Sequence, residues 1–297
     1  MIKKIVLVLL GLLIISILGL TSIGLANKDF TFMKTIVIDE ERSSSIEEIE
    51  KIKISAVSGN INFFTVAENN VKVKLSGKQK CMMCYAETAL KFNKSGSTLE
   101  LINQTRLWGI VGFSQLKMDV YLPLNYFGKL EIKTVSGDIY LSSMNLMNIT
   151  VNTQSGDIGI SDITANAGFN LNSVSGNITL NNIIGNVTVD TVSGNVQAHG
   201  IAGDFDADTV SGNVALKVLS REFSIMVATT SGDVKIILNP EAHFSFSLKS
   251  TSGNLSIDYM VLLIINERRY LKGHTGESDN SVNVSTTSGN IKITDKR

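Results

Sequence analysis

The chain has 297 residues with 27 basic and 27 acidic side chains, so its formal net charge is zero. The balanced charge, with no basic excess to neutralise phosphates, argues against nucleic acid as a partner. With 24 Gly, only 2 Pro, abundant Ile, Val, Thr, Ser and Asn, and no long helical pattern past the N-terminus, the composition is that of an all-β protein.

Residues 1–28 form the first unit. Lys3 and Lys4 precede an uncharged apolar run from Ile5 to Leu25. Its twenty-one residues suffice for a transmembrane helix, and the lysines place the N-terminus in the cytoplasm and the bulk of the chain outside. The expected location is therefore the cell membrane, single-pass. Gly24-Leu25-Ala26 loosely resembles a cleavage site, so a removed signal peptide is the rival, but the apolar core exceeds the usual ~7–15 residues. No cysteine lies near this run, so a lipid anchor is not supported.

Residues 29–129 read as a first repeat unit plus capping strands. The acidic stretch 39–50 reads as helix or loop. Ser58-Gly59-Asn60 opens the repeat, which then stops, while apolar alternation continues in 71–75, 98–102 and 116–122. These strands are expected to cover the open end of the stack that follows. Cys81 and Cys84 form the only cysteine pair, read as a small disulfide or an incidental pair. A redox role lacks its βαβ setting, and zinc lacks two further ligands, since His199, His243 and His274 are scattered. Ser114 and Lys117 match S-x-x-K, but that motif needs a helical turn, and a strand puts the two side chains on opposite faces.

Residues 130–297 carry the repeat. Ser-Gly-Asn/Asp corners stand at Gly59, Gly137, Gly156, Gly176, Gly194, Gly212, Gly232, Gly253 and Gly289, and the seven from Gly137 to Gly253 are spaced 18–21 apart. Positions six and four before each Ser, and three and five after it, are apolar in all nine units, for example Val187, Val189, Val196 and Ala198. Alternation within each arm has the period of a half-buried strand. A unit this short cannot bury its own apolar face and must stack, and it is too short for a propeller blade of ~40 residues. The reading is a parallel β-solenoid of strand, corner, strand, right-handed by the rule for parallel crossovers. The corner Gly is expected at positive φ, with the adjoining Asn or Asp bonding local backbone. Thr or Ser two before the corner suits a hydroxyl ladder, and a weaker corner falls at Gly185-Asn186 and Gly203-Asp204.

Asp204, Asp206 and Asp208 alternate with Phe205 and Ala207, and Asp190 stands one unit earlier beside Asp208. This acidic strip is a candidate face for a hard cation or a cationic polymer, although a solvated surface is the commoner outcome and the G-G-x-G-x-D repeat of calcium rolls is absent. The last interruption, 258–281, reads as a C-terminal cap with a polar loop carrying Glu267, Arg268, Arg269, His274 and Glu277. No cofactor motif is present and none is expected.

The run LKMDVYLPLNYFGKLEIKTVSGDIYL, followed by SGDI, SGNI and SGNV segments, resembles the "putative adhesin" β-strand-repeat family of bacterial envelope proteins, domain of unknown function 4097. In layout it is similar to the LiaG-type membrane-anchored members, over roughly 50–295. The resemblance implies a right-handed single-stranded β-helix, placed outside the cytoplasm beside envelope-stress systems. CMMC and the insertion at 258–281 depart from that pattern. Two function classes follow. One is a non-enzymatic, adhesin-like envelope protein whose face binds an envelope protein or wall polymer. The other is a carbohydrate-active β-helix enzyme, which needs acidic and basic groups converging on adjacent coils.

Overall fold

The computed structural model describes residues 34–295. The apolar run at 5–25 lies outside them, and no helix among the described residues is long and apolar enough to cross a membrane.

Each Ser-Gly unit is one coil of a parallel stack. Leu171 pairs in register with Val151 on one side and Val189 on the other, and beyond the corner Leu180 pairs with Ile160 and Ala198. Two parallel sheets result, one from the strands before each corner and one from the strands after it. Every predicted ladder residue is buried except Leu255 and Ile257. Those two lie on the terminal coil and are half-buried. The odd step across the corner is absorbed because the two residues before each Gly, such as Val192 and Ser193, both face solvent.

A second bend went unread in the sequence. Seven residues after the Ser, Ser143, Asp162 and Asn182 take φ of 56°, 55° and 53°, and Gly200 takes 77°. The bend turns the next residues inward and makes a fifth ladder of Met144, Ile163, Ile183 and Ile201, all buried. The weaker corners follow, with Gly185 at φ 132° and Gly203 at 149°.

The order of coils differs from the order in sequence. The first coil, 51–66, stacks directly on the second, since Ile52 pairs with Leu130 and Ile61 with Ile139. Coils then follow in sequence to the seventh, at Gly232. There Ser224–Ser231 pairs with Ser281–Ser288 of the ninth coil, and the ninth in turn pairs with Ser245–Ser252 of the eighth. The ninth coil is thus inserted between the seventh and the eighth, where the spacing alone predicted seven coils stacked in sequence. Nine coils at about 4.8 Å make a stack of roughly 40 Å.

Both ends are covered. At the C-terminal end the hairpin of Leu262–Glu267 and Tyr270–His274 pairs antiparallel with the eighth coil, so most of the expected polar loop is a β-hairpin. Phe223, Phe244, Phe246 and Tyr259 pack together there, Tyr259 edge-on to Phe244 at 5.3 Å. At the other end Thr98–Pro123 supplies a cover over the first coil, Asn70–Ser95 pairs antiparallel with it, and Lys34–Ser45 pairs with that. The acidic stretch 39–50 is therefore strand as far as Ser45, rather than helix or loop, and keeps the expected loop only over 46–50. Its carboxylates have partners that only tertiary pairing supplies, Lys74 on Asp39 at 3.4 Å and Lys72 on Glu41 at 3.1 Å. One apolar cluster runs from Ile38 to Ile293, so the described residues bury a core of their own.

Candidate functional site

The corner residues do structural work, in a way the sequence did not specify. Each corner Asn or Asp except Asn254, on the last coil of the stack, accepts through its side-chain oxygen the backbone N–H of its counterpart on the neighbouring coil. Asn177 N–H donates to Asp157 Oδ1 at 2.7 Å, Asn195 to Asn177 at 3.1 Å, and Asn213 to Asn195 at 3.0 Å. The ladder spans all nine coils and passes from Asp233 to Asn290 and then to Asn254, following the inserted ninth coil. The expected local bond is thus a bond between coils. Glycine is required there because coils approach closely at the corner. A Cβ on Gly194, where φ is 151°, would overlap the carbonyl of Gly176. A Cβ on Gly212, where φ is not in the left-handed region, would equally overlap the carbonyl of Gly194.

An open strip runs beside these corners. A shallow groove of about 460 Å³ crosses the coils at Gly156, Gly176, Gly194 and Gly212. One lip is Asn152, Asn172, Asp190 and Asp208, and the other is Val174, Val192 and Val210. The valines are about half exposed, at 52%, 49% and 52%. Residues between the lips, including Thr191 and Thr209, are buried. On the polar lip Asn172 donates to Asn152 Oδ1 at 3.1 Å, and Asp190 pairs in register with Asp208. The valine row was missed, although it is legible as the Val of S-V-S-G at Val174 and of T-V-S-G at Val192 and Val210, one position out of phase with the inward ladder.

The acidic candidates divide. Asp204 Oδ1 accepts the N–H of Ser224 at 2.8 Å and so serves the weaker corner. Asp206 pairs in register with Thr188 and faces solvent. Partial burial, then the charges of Asp190 and Asp208, push its carboxyl above the ordinary aspartate value. Among the described residues no group of three His, Cys, Asp or Glu side chains is placed to hold a metal ion.

The remaining candidates do not converge. Ser114 accepts from Gln79 at 3.3 Å, while Lys117 pairs with Asp119 at 2.9 Å, so the S-x-x-K residues serve separate partners. Glu267 pairs with Tyr270 and His274 with Leu262, at opposite ends of the terminal hairpin and about 13 Å apart along it. Arg268 and Arg269 form its turn. Glu277 lies instead near His243, Glu241 and Arg221. The backbone of Cys81 and Cys84 lies in Asn70–Ser95, with Cys81 opposite Val111, and their side chains lie outside the described residues.

A family model described as Toastrack DUF4097 matches residues 47–294. The chain belongs to this family. No curated protein matches it. Among solved structures this Toastrack chain is similar to a "putative adhesin" from Bacteroides fragilis at 15% identity, covering 88% of this chain and 97% of that one, with a TM-score of 0.49. It is also similar to a "putative adhesin" from Parabacteroides distasonis, at 14% identity over 86% and 97% with a TM-score of 0.48. A "putative cell adhesion protein" from Clostridium sporogenes gives 15% identity over 88% and 100%, with a TM-score of 0.35.

Proposed function

We propose that this Toastrack chain is a non-enzymatic, adhesin-like binding protein, held on the outer side of the cell membrane by residues 5–25, with a right-handed solenoid as its binding body. The observation that supports the reading is the groove along the corners. It repeats the same amide or carboxylate lip and the same valine lip on successive coils. A catalytic centre needs unlike groups converging on one point, whereas this surface offers like groups in a row. A row suits a ligand that is itself repetitive. Amides and carboxylates hydrogen-bond hydroxyls, and a valine row contacts the apolar face of a sugar ring, so the ligand class is a hydroxyl-rich wall glycan.

Purified full-length protein in detergent should co-sediment with isolated cell wall. The double variant Val192→Lys, Val210→Lys should lose most of that binding while melting as the parent does. Equal binding by parent and variant would remove the groove from the proposal, and catalytic turnover of the bound glycan would replace it with the enzyme class.

A further inference from the structure

The cover over the first coil contains an arm. Ala56 and Asn60, four positions apart across the first corner, pair with Asn103 and Lys117, fourteen positions apart in Thr98–Pro123. The extra residues leave the stack at the corner and return to it. Asn70–Ser95 stays paired with them throughout, so the excursion is a two-stranded ribbon of about 78–89 and 104–116. Its register shifts between Lys80 and Cys81 and between Met82 and Tyr85, opposite Gly112 and Gly109. Bulges of this kind bend a ribbon, and these place the fold-back at the centre of the arm.

Three observations bear on what this arm meets. The residues at the fold-back are apolar or aromatic, among them Met82, Met83, Tyr85, Trp108, Ile110 and Val111. The base of the arm is basic, with Lys78 and Lys80 exposed. Third, the strand that continues the N-terminal apolar segment enters the fold beside the arm, because Lys34 pairs with Cys81. Eight residues, 26–33, separate Leu25 from Lys34, a reach of at most about 30 Å. The arm therefore stands where the chain meets the bilayer, if 5–25 is its anchor.

We infer that the arm is a second membrane contact, its fold-back entering the interfacial layer of the lipid while Lys78 and Lys80 meet anionic headgroups. Tyr and Trp partition to that layer, and lysines beside it gain from anionic lipid. Anchor and arm together give two attachment points, which fix the orientation of the stack on the membrane where a single flexible tether would not. The inference rests on the anchored reading proposed above.

Trp108 is the only tryptophan in the chain, and none lies in the anchor, so its fluorescence reports the arm alone. Full-length protein would be reconstituted into vesicles of phosphatidylcholine and phosphatidylglycerol, with and without bromine on the acyl chains. Flotation after carbonate washing reads the anchor, and quenching of Trp108 by the brominated lipid reads the arm. The expected result is flotation with a blue-shifted, strongly quenched Trp108. The variant Ile110→Asp should lose the quenching yet still float and melt as the parent does. Flotation with unquenched Trp108 would overturn the arm contact and leave the anchor standing. Failure to float would overturn the anchored reading, and the arm inference with it. Quenching that persists in Ile110→Asp and in Met82→Asp would also overturn the assignment to the fold-back.

Discussion

At the scale of single residues the corner glycines are decided by the distance between coils more than by their own φ. Gly194 has both constraints, and Gly212 has only the approach of the neighbouring carbonyl. Gly212→Ala is therefore expected to cost about as much as Gly194→Ala, roughly 1–3 kcal/mol of overpacking, while Thr188→Val on the outer face stays within about 0.5 kcal/mol. Denaturant midpoints of the three variants decide this, and a neutral Gly212→Ala would return the requirement to φ alone. Asp206 tests the acidic strip. Its carboxyl titrates above the ordinary value, first through partial burial and then through Asp190 and Asp208. A raised folded-state pKa means that protonation favours the fold, so the stability linked to this group is present at low pH and lost as pH rises through that pKa. Asp206→Asn should accordingly melt higher than the parent at pH 7, with the difference shrinking as the pH is lowered through the carboxylate range. A difference that does not change with pH would mean that Asp206 is an ordinary surface carboxylate.

Among elements, the inserted ninth coil has the largest consequence. It is the last strand pair made by the chain, yet it lies between two others, so its loss exposes apolar faces on both sides of the gap. Asn280 holds the entry to this coil. Its amide donates to the carbonyls of Arg221 at 2.9 Å and His243 at 3.0 Å, and its Oδ1 accepts from Phe223 N–H at 2.9 Å. Three such bonds make Asn280→Ala a loss of about 1–3 kcal/mol. Removing 281–297 should do far more, uncoupling the eighth coil and its hairpin from the rest. Circular dichroism melts should show an early transition for that region, whereas a single unshifted melt would contradict the insertion.

For the whole molecule, one core joins the cover, the nine coils and the hairpin. The two sheet ends are closed by different means, a charged outermost strand at 34–45 and a hairpin beyond the eighth coil. The anchored reading makes a prediction at this scale. The mature protein should begin at Met1 and stay with membranes after carbonate washing, and recovery of a soluble form beginning near Asn27 would show that residues 1–26 are a removed signal peptide.

Much of this molecule was legible in the chain because a repeat repeats its burial. Alternation about each Ser-Gly states which side chains face inward, and Val189 and Val196 are fully buried as that pattern requires. The coil order was not legible. The eighth and ninth units carry equivalent ladders, so either could pair with the seventh, and hydrophobic periodicity does not distinguish two strands of the same pattern. The path of 258–281 and the bonds of Asn280 decide between them. The bend at Ser143, Asp162 and Asn182 was hidden because no glycine marks it in those three coils. The groove was half visible, its acidic lip in the alternation of Asp190 and Asp208 and its valine lip only once the corner was known to leave two successive residues in solvent. Local pattern determines which face of a strand is buried. Which strand lies next to it depends on contacts between residues far apart in sequence, and those exist only in the folded chain.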